Sequence, residues 1–163
     1  MSVKQFGDTN VLVYSRDTTE AGKHDIAVDI VRRLWEERTG VISTQVCSEF
    51  YVTVTRKLDP GLTPEEAWDD LDALFAWNPI PVDVACMRVA RHVELLYGLS
   101  WWDSLIVAAC SQAGSTEILS EDLNPHQTYL GIRVTNPFET GAIATPSPRM
   151  RNFDSSKMNR RRT

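Results

Sequence analysis

The sequence predicts an α/β fold in which a central parallel sheet of about four to five short strands is flanked by helices on both faces. Short apolar segments alternate with longer amphipathic ones, which is typical of parallel strands joined by helices. The 163 residues have the length of one domain, and 42% hydrophobic with 24% charged residues is an ordinary globular composition. No apolar run is long enough to cross a membrane, so we expect no membrane partner.

The chain begins with a strand and an amphipathic helix. Residues 3–7 predict a short strand that leads directly into Asp8. Apolar residues then recur at helical spacing over 26–35, with charged residues opposite, and this helix is expected to end near Gly40. A brief apolar segment at 41–42 predicts the second strand.

Polar residues at capping positions define the next three helices. The Ser-Thr pair at 43–44 can cap a helix that runs to about Lys57. Residues 63–66 combine an N-cap threonine, a proline at the first helical position and a capping-box glutamate. Asp83 can cap the following helix, which is expected to stop at Gly98.

The last helix and two strands complete the predicted domain. Residues 104–113 are almost uniformly apolar, so this helix is expected to be buried on most sides. Residues 117–120 and 132–135 predict two further strands in the sheet.

The charge of the chain divides it into two parts. Residues 1–138 carry 11 Lys and Arg against 20 Asp and Glu, a net −9, and residues 139–163 carry 6 against 2, a net +4. We therefore predict a domain at 1–138 and a basic, disordered tail at 139–163. The acidic body is the opposite of what a nucleic-acid binder usually presents.

The cysteines and the N-terminus indicate the compartment. Cys47, Cys86 and Cys110 are too widely spaced for a zinc site, and we expect each to be a small buried side chain. Because the N-terminus lacks the long apolar core and cleavage site of a secretory signal, we expect a cytoplasmic protein.

Four acidic residues occupy positions where a folded protein rarely places one without reason. Asp8 and Asp122 each follow a predicted strand, Glu49 lies within an apolar helix, and Asp103 begins the most buried helix. Sites in open α/β sheets form at the carboxyl ends of the strands, so these acids are expected to converge there. Taken singly, each also has a structural interpretation, as a helix N-terminal charge, a turn residue or a solvated side chain.

Converging carboxylates require neutralisation. Two of them about 5 Å apart repel by roughly 3 kcal/mol at an effective dielectric constant of about 20. Either some are protonated or a cation binds between them. Oxygen ligands without His or Cys suit Mg²⁺ or Mn²⁺, and such a metal can activate water for attack on a phosphate ester.

Five segments, in chain order, resemble the motifs of the PIN-domain family, especially those of VapC-like toxins. The similarity covers residues 3 to 138, although Gly7 stands where the family usually has a larger apolar residue. The segments are 6–14, 43–51, 100–109, 119–123 and 131–138.

The resemblance implies a PIN-like fold and a metal-dependent endoribonuclease. Asp8, Asp103 and Asp122 would bind one or two Mg²⁺ (Mn²⁺ is possible), with Glu49 binding directly or through a water. The metal-activated water would hydrolyse RNA phosphodiester bonds. The resemblance further implies a homodimer that is silenced by a VapB-like antitoxin. The residues that it places around the metal are Thr9, Asn10, Ser120 and Glu121.

Two other functions share some of these sequence features. A haloacid-dehalogenase-type phosphatase would need a second aspartate two residues after Asp8, where this chain has Asn10. The main alternative is a non-catalytic PIN scaffold that binds RNA or protein. Trp101 and Trp102 could stack on bases, but beside an apolar helix we expect core or dimer-interface residues.

Overall fold

A computed structural model of the protein describes residues 2–139. The basic tail predicted at 139–163 lies outside the described residues, except for Glu139. The strands are β1 (Gln5–Gly7), β2 (Gly40–Val41), β3 (Glu117–Leu119), β4 (Thr128–Tyr129) and β5 (Ile132–Thr135). The helices are α1 (Thr9–Tyr14), α2 (Ala21–Glu37), α3 (Thr44–Arg56), α4 (Pro64–Leu74), α5 (Val84–Tyr97) and α6 (Trp101–Gln112), with a single 3-10 turn (Phe75–Trp77) after α4.

The strands form one sheet in the order β2-β1-β3-β5-β4. β1 pairs in parallel with both β2 and β3, and β3 pairs in parallel with β5. The α/β prediction is therefore confirmed. The antiparallel edge strand β4 was not predicted, because it is two residues long and depends on a tight turn. That turn places Leu130 and Gly131 at positive φ, 53° and 76°.

The predicted capping residues begin their helices as expected. Ser43 accepts a hydrogen bond from the backbone N–H of Val46, and Asp83 caps α5 in the same way. The capping box predicted at 63–66 is present in full at the start of α4. Gly98, in the left-handed region, ends α5 as predicted.

Helix α2 ends near Gly40, as predicted, but the glycine itself does not form the helix end. The helix stops at Arg38, which has a left-handed φ of 55°, and Gly40 is instead the first residue of β2. A Cβ at Gly40 would lie 2.7 Å from the indole ring of Trp77. This glycine is therefore required by close packing and not by a helix end.

The core lies between the sheet and the helices. Helix α6 is the most buried helix, as its composition predicted, and the side chains from Ser104 to Cys110 are all buried. All three cysteines are buried, also as predicted. Among the described residues no single helix is long and apolar enough to cross a membrane, although α5 and α6 together pass that test as a pair bent by 117°.

Candidate active site

Asp8, Glu49 and Asp122 lie at the carboxyl ends of β1 and β3 and are called the acidic edge below. Asp8 is its buried centre. It follows β1 and caps α1, and its own backbone N–H donates to the carbonyl of Leu119 at the end of β3 (3.0 Å). One carboxylate oxygen accepts the Thr9 N–H at 2.7 Å, and the other accepts the hydroxyl of Ser120 at 2.6 Å. The first and third strands thus fix this carboxylate from both sides.

The pKa of Asp8 reflects neighbouring carboxylates as well as burial. Burial is the largest influence and raises this pKa from 3.8 to about 6, although hydrogen bonds from Ser120 and Thr9 lower it. Repulsion from the Asp122 and Glu49 carboxylates adds to the increase. Both acids therefore act on Asp8 electrostatically, as their predicted convergence requires.

Glu49 reaches the same edge from α3. One of its carboxylate oxygens accepts the Thr9 hydroxyl at 2.7 Å, and the other accepts the side-chain amide of Gln45 at 2.8 Å. Gln45 Nε2 also lies 3.4 Å from the carbonyl of Trp102, at the start of α6. Gln45 was not predicted as a site residue, although its position four residues before Glu49 puts the two on one helix face.

Asp122 is exposed, and hydrogen bonds with Ser120 and Asn10 hold it beside the buried Asp8. The hydroxyl oxygen of Ser120 accepts the backbone N–H groups of Asp122 and Leu123, at 3.1 and 3.4 Å. The side-chain amide of Asn10 donates to Asp122 Oδ2 at 3.1 Å. The orientation of that amide follows from this bond, because the reverse would set two oxygens against each other.

Asp103 lies in the first turn of α6, where Ser100 caps the helix by accepting the Asp103 N–H. Its charge acts on Tyr129 in β4, whose pKa is raised first by burial and then by this carboxylate. Among the described residues no hydrogen bond joins the Asp103 carboxylate to the other three acids. The charges of Glu49 and Asp122 act on Asp8, and the convergence of Asp103 with these three acids stays a prediction.

The carboxylate and amide oxygens at this edge are the ligand type that a hard cation prefers. Within residues 2–139 no group of three or more Asp, Glu, His or Cys side chains is placed so that it could hold a metal ion. However, Asn10 Oδ1 and Gln45 Oε1 are buried acceptors without a hydrogen-bond partner in that part of the chain. Amide oxygens beside carboxylates are the ligand types that Mg²⁺ takes. These oxygen atoms are therefore of the right type for such a metal. The side chains would have to rotate before they could bind one ion together.

Glu121 has neighbours that the sequence did not indicate. The Glu121 carboxylate accepts from the hydroxyl of Tyr14 at 2.5 Å and from the ammonium of Lys23 at 2.9 Å.

Trp101 packs against the core as predicted. Trp102 is 63% exposed, so the core interpretation is wrong for this side chain, and its place in a dimer interface stays a prediction.

Comparisons with known proteins give a family and a related fold. The model of the PIN domain family matches residues 6–129. No curated protein matches the sequence significantly. One similar solved structure is VapBC2 from Rickettsia felis bound to a DNA fragment from its promoter. The match has a TM-score of 0.57 at 15% identity and covers 80% of this chain and 96% of the other. At that identity the likeness concerns the fold.

Proposed function

The chain belongs to the PIN domain family, and from this we propose that it is a metal-dependent endoribonuclease acting as the toxin of a VapBC-type module. The observation that carries the proposal is the buried Asp8, on which Glu49 and Asp122 act at the carboxyl ends of β1 and β3. A buried carboxylate with two acidic neighbours is unfavourable unless a cation binds there. The family typically uses a divalent metal, and we take Mg²⁺, or Mn²⁺, as that cation.

The proposal gives each residue of the edge a task. Asp8, Asp122 and Asp103 bind the metal, and Glu49 binds it directly or through a water. Thr9, Asn10 and Ser120 hold these carboxylates by the hydrogen bonds described above. With a pKa of about 6, Asp8 is mostly ionised at neutral pH even without metal, so it is ready to bind. A bound divalent metal activates water and stabilises negative charge on a phosphodiester.

A protein partner of the antitoxin type has a surface to which it can bind. A groove of about 390 Å³ runs between α2 and α4. Val28 and Trp35 of α2 line it and are each 38% exposed, while Ile30 and Leu34 of the same helix are core residues. We propose that an apolar stretch of a VapB-like antitoxin packs there. A homodimer and a cytoplasmic location complete the proposal by family resemblance.

The alternative is a non-catalytic PIN scaffold that binds RNA or protein. It is favoured by one observation, namely that no three acids in residues 2–139 already stand where they could hold a metal. A scaffold would bind its partner with the same affinity whether Mg²⁺ or EDTA was present.

Cleavage of total RNA by the purified, antitoxin-free protein separates these functions. We expect cutting with Mg²⁺ or Mn²⁺, none with EDTA, and none by Asp8→Asn. The matched control is Asp69→Asn, an exposed acid on α4, which should cut like the wild type. Cutting by Asp8→Asn, or undiminished cutting in EDTA, would contradict the proposal.

A further inference from the structure

Lys23, in the first turns of α2, is held in one position by four groups. Its ammonium lies 2.9 Å from Glu121 Oε2 and 3.1 Å from the hydroxyl oxygen of Tyr14. The same nitrogen sits over two aromatic rings, 4.7 Å from the centroid of Tyr14 and 5.9 Å from that of Phe138. These two rings pack edge to face at 5.0 Å. Ring faces and a carboxylate together fix a cation that would otherwise be mobile.

This cation lies at the rim of the acidic edge. Glu121, its ionic partner, stands between Ser120, which bonds Asp8, and Asp122. The carboxylate partner of the ammonium is therefore the chain neighbour of both Ser120 and Asp122. It remains accessible, because 37% of the Lys23 side chain is exposed.

The other ion pairs in residues 2–139 join acids that do not belong to this edge. Of the six pairs there, Lys23–Glu121 alone includes a residue next to an acid of the acidic edge, because Glu121 precedes Asp122. The remaining five are Arg16–Asp70, Arg32–Asp29, Arg33–Glu37, Arg91–Glu94 and Arg133–Glu117. Among the ion-paired cations of residues 2–139, Lys23 is therefore the one placed to meet a polyanion beside this edge.

We propose that Lys23 binds a backbone phosphate of the substrate RNA beside the acidic edge, an inference that rests on the proposed function. An ammonium has three N–H donors, and within the described residues two are engaged, by Glu121 and Tyr14. The third donor is available to a phosphate oxygen. Because the side chain is already immobilised, little conformational freedom is lost when the phosphate binds. The hydrogen bond from Lys23 to Glu121 also raises the pKa of the ammonium, which keeps it charged.

A purely structural role for Lys23 makes different predictions. In that case the lysine would only hold Glu121 and Phe138 in place, and its loss would lower the stability and kcat at every salt concentration. A phosphate contact instead contributes to RNA affinity and to the salt dependence of that affinity, because it displaces condensed counterions. The salt dependence therefore distinguishes the two roles.

The test uses the full chain with Lys23→Gln, Lys23→Arg and a control, Lys4→Gln. Lys4 precedes β1 at the opposite end of the strand from Asp8, and the control removes the same charge. Binding of a labelled single-stranded RNA oligonucleotide is measured in an Asp8→Asn background at constant Mg²⁺ and increasing NaCl. Cleavage kinetics are measured with Asp8 intact.

We expect Lys23→Gln to reduce the slope of log affinity against log salt by about 0.7, the contribution of one phosphate on a single strand. It should raise KM several-fold and leave kcat and Tm nearly unchanged. Lys23→Arg should restore the slope, and Lys4→Gln should leave it unaltered. A slope and KM for Lys23→Gln equal to those of Lys4→Gln would overturn the proposal, as would a loss confined to kcat and Tm.

Failure of the proposed function gives a different pattern. If the wild type binds RNA but does not cut it, the nuclease is wrong, and the slope still decides whether Lys23 contacts a phosphate. If the wild type does not bind RNA at all, both proposals are wrong. If the wild type cuts RNA and the slope is unchanged in Lys23→Gln, only the assignment of Lys23 is wrong.

Discussion

Replacing Asp8 by asparagine should stabilise the metal-free protein while it abolishes cleavage. The wild-type carboxyl is buried and has a pKa of about 6, against 3.8 for an exposed aspartate. Its folded-state pKa is the higher one, so its contribution to stability is complete below pH 4 and is lost as the pH rises through 6. Two pKa units correspond to about 3 kcal/mol of unfolding free energy.

The amide of Asp8→Asn resembles the protonated carboxyl, so the variant avoids the cost of a buried negative charge. At pH 7.5 without metal we expect it to be more stable than the wild type by up to about 3 kcal/mol. The difference should shrink to about 1 kcal/mol at pH 4.5, where the wild-type carboxyl is mostly protonated. Most substitutions of a buried polar group instead lower the free energy of unfolding.

Urea unfolding in EDTA at both pH values, with Asp69→Asn as control, measures this difference. Addition of Mg²⁺ should then raise the unfolding free energy of the wild type and leave that of Asp8→Asn unchanged, because only the former binds the ion. A variant that is no more stable than the wild type at pH 7.5, with an unchanged m-value, would refute the electrostatic reasoning. A stability of Asp8→Asn that rises equally with Mg²⁺ would refute the assignment of Asp8 as a ligand.

Three further changes test other parts of the structure. Ser120→Ala removes a hydrogen bond that lowers the pKa of Asp8, so the acidic limb of the pH–rate profile should move to higher pH. Glu117→Gln, at the opposite end of β3, should lower the unfolding free energy at pH 7 by about 1–3 kcal/mol and spare cleavage. Burial raises the pKa of Glu117, but hydrogen bonds from Gln5 and Thr135 and the charge of Arg133 together hold it below its ordinary value, so this loss should fade as the pH falls through that depressed pKa. Val28→Glu should weaken capture by an antitoxin in pull-down and leave RNA cutting intact.

Features that depend on a few neighbouring residues could be predicted from the sequence. Ser43, Asp83 and the capping box at 63–66 begin their helices because a cap acts within three residues of chain. Asp8 could be placed at the sheet edge for the same reason, since the end of a strand is a local signal. The helix α1 that follows it was missed, because three of its six residues are β-branched and one is Asn, and these types have little helical propensity.

Features that depend on contacts between distant segments could not be predicted. Glu121 faces Tyr14 and Lys23, which lie 107 and 98 residues away in the chain, and no local pattern tells which way its side chain turns. How close Asp103 lies to Asp8 likewise depends on how α6 packs against the sheet, which no local pattern gives. The spacing of these acids in the sequence predicts that they lie at one edge of the sheet. Which side chains each of them contacts depends on the packing of the whole fold.

The hydrogen bond between Ser120 and Asp8 joins residues 112 positions apart, and this has a consequence for synthesis on the ribosome. At about 5–20 residues per second, the two halves of the acidic edge are made roughly 6 to 22 s apart. Until β3 has been made and has paired with β1, Asp8 lacks both Ser120 and Asp122. If the proposed function is correct, the nascent chain cannot attack RNA, including its own message, until Ser120 and Asp122 have been translated.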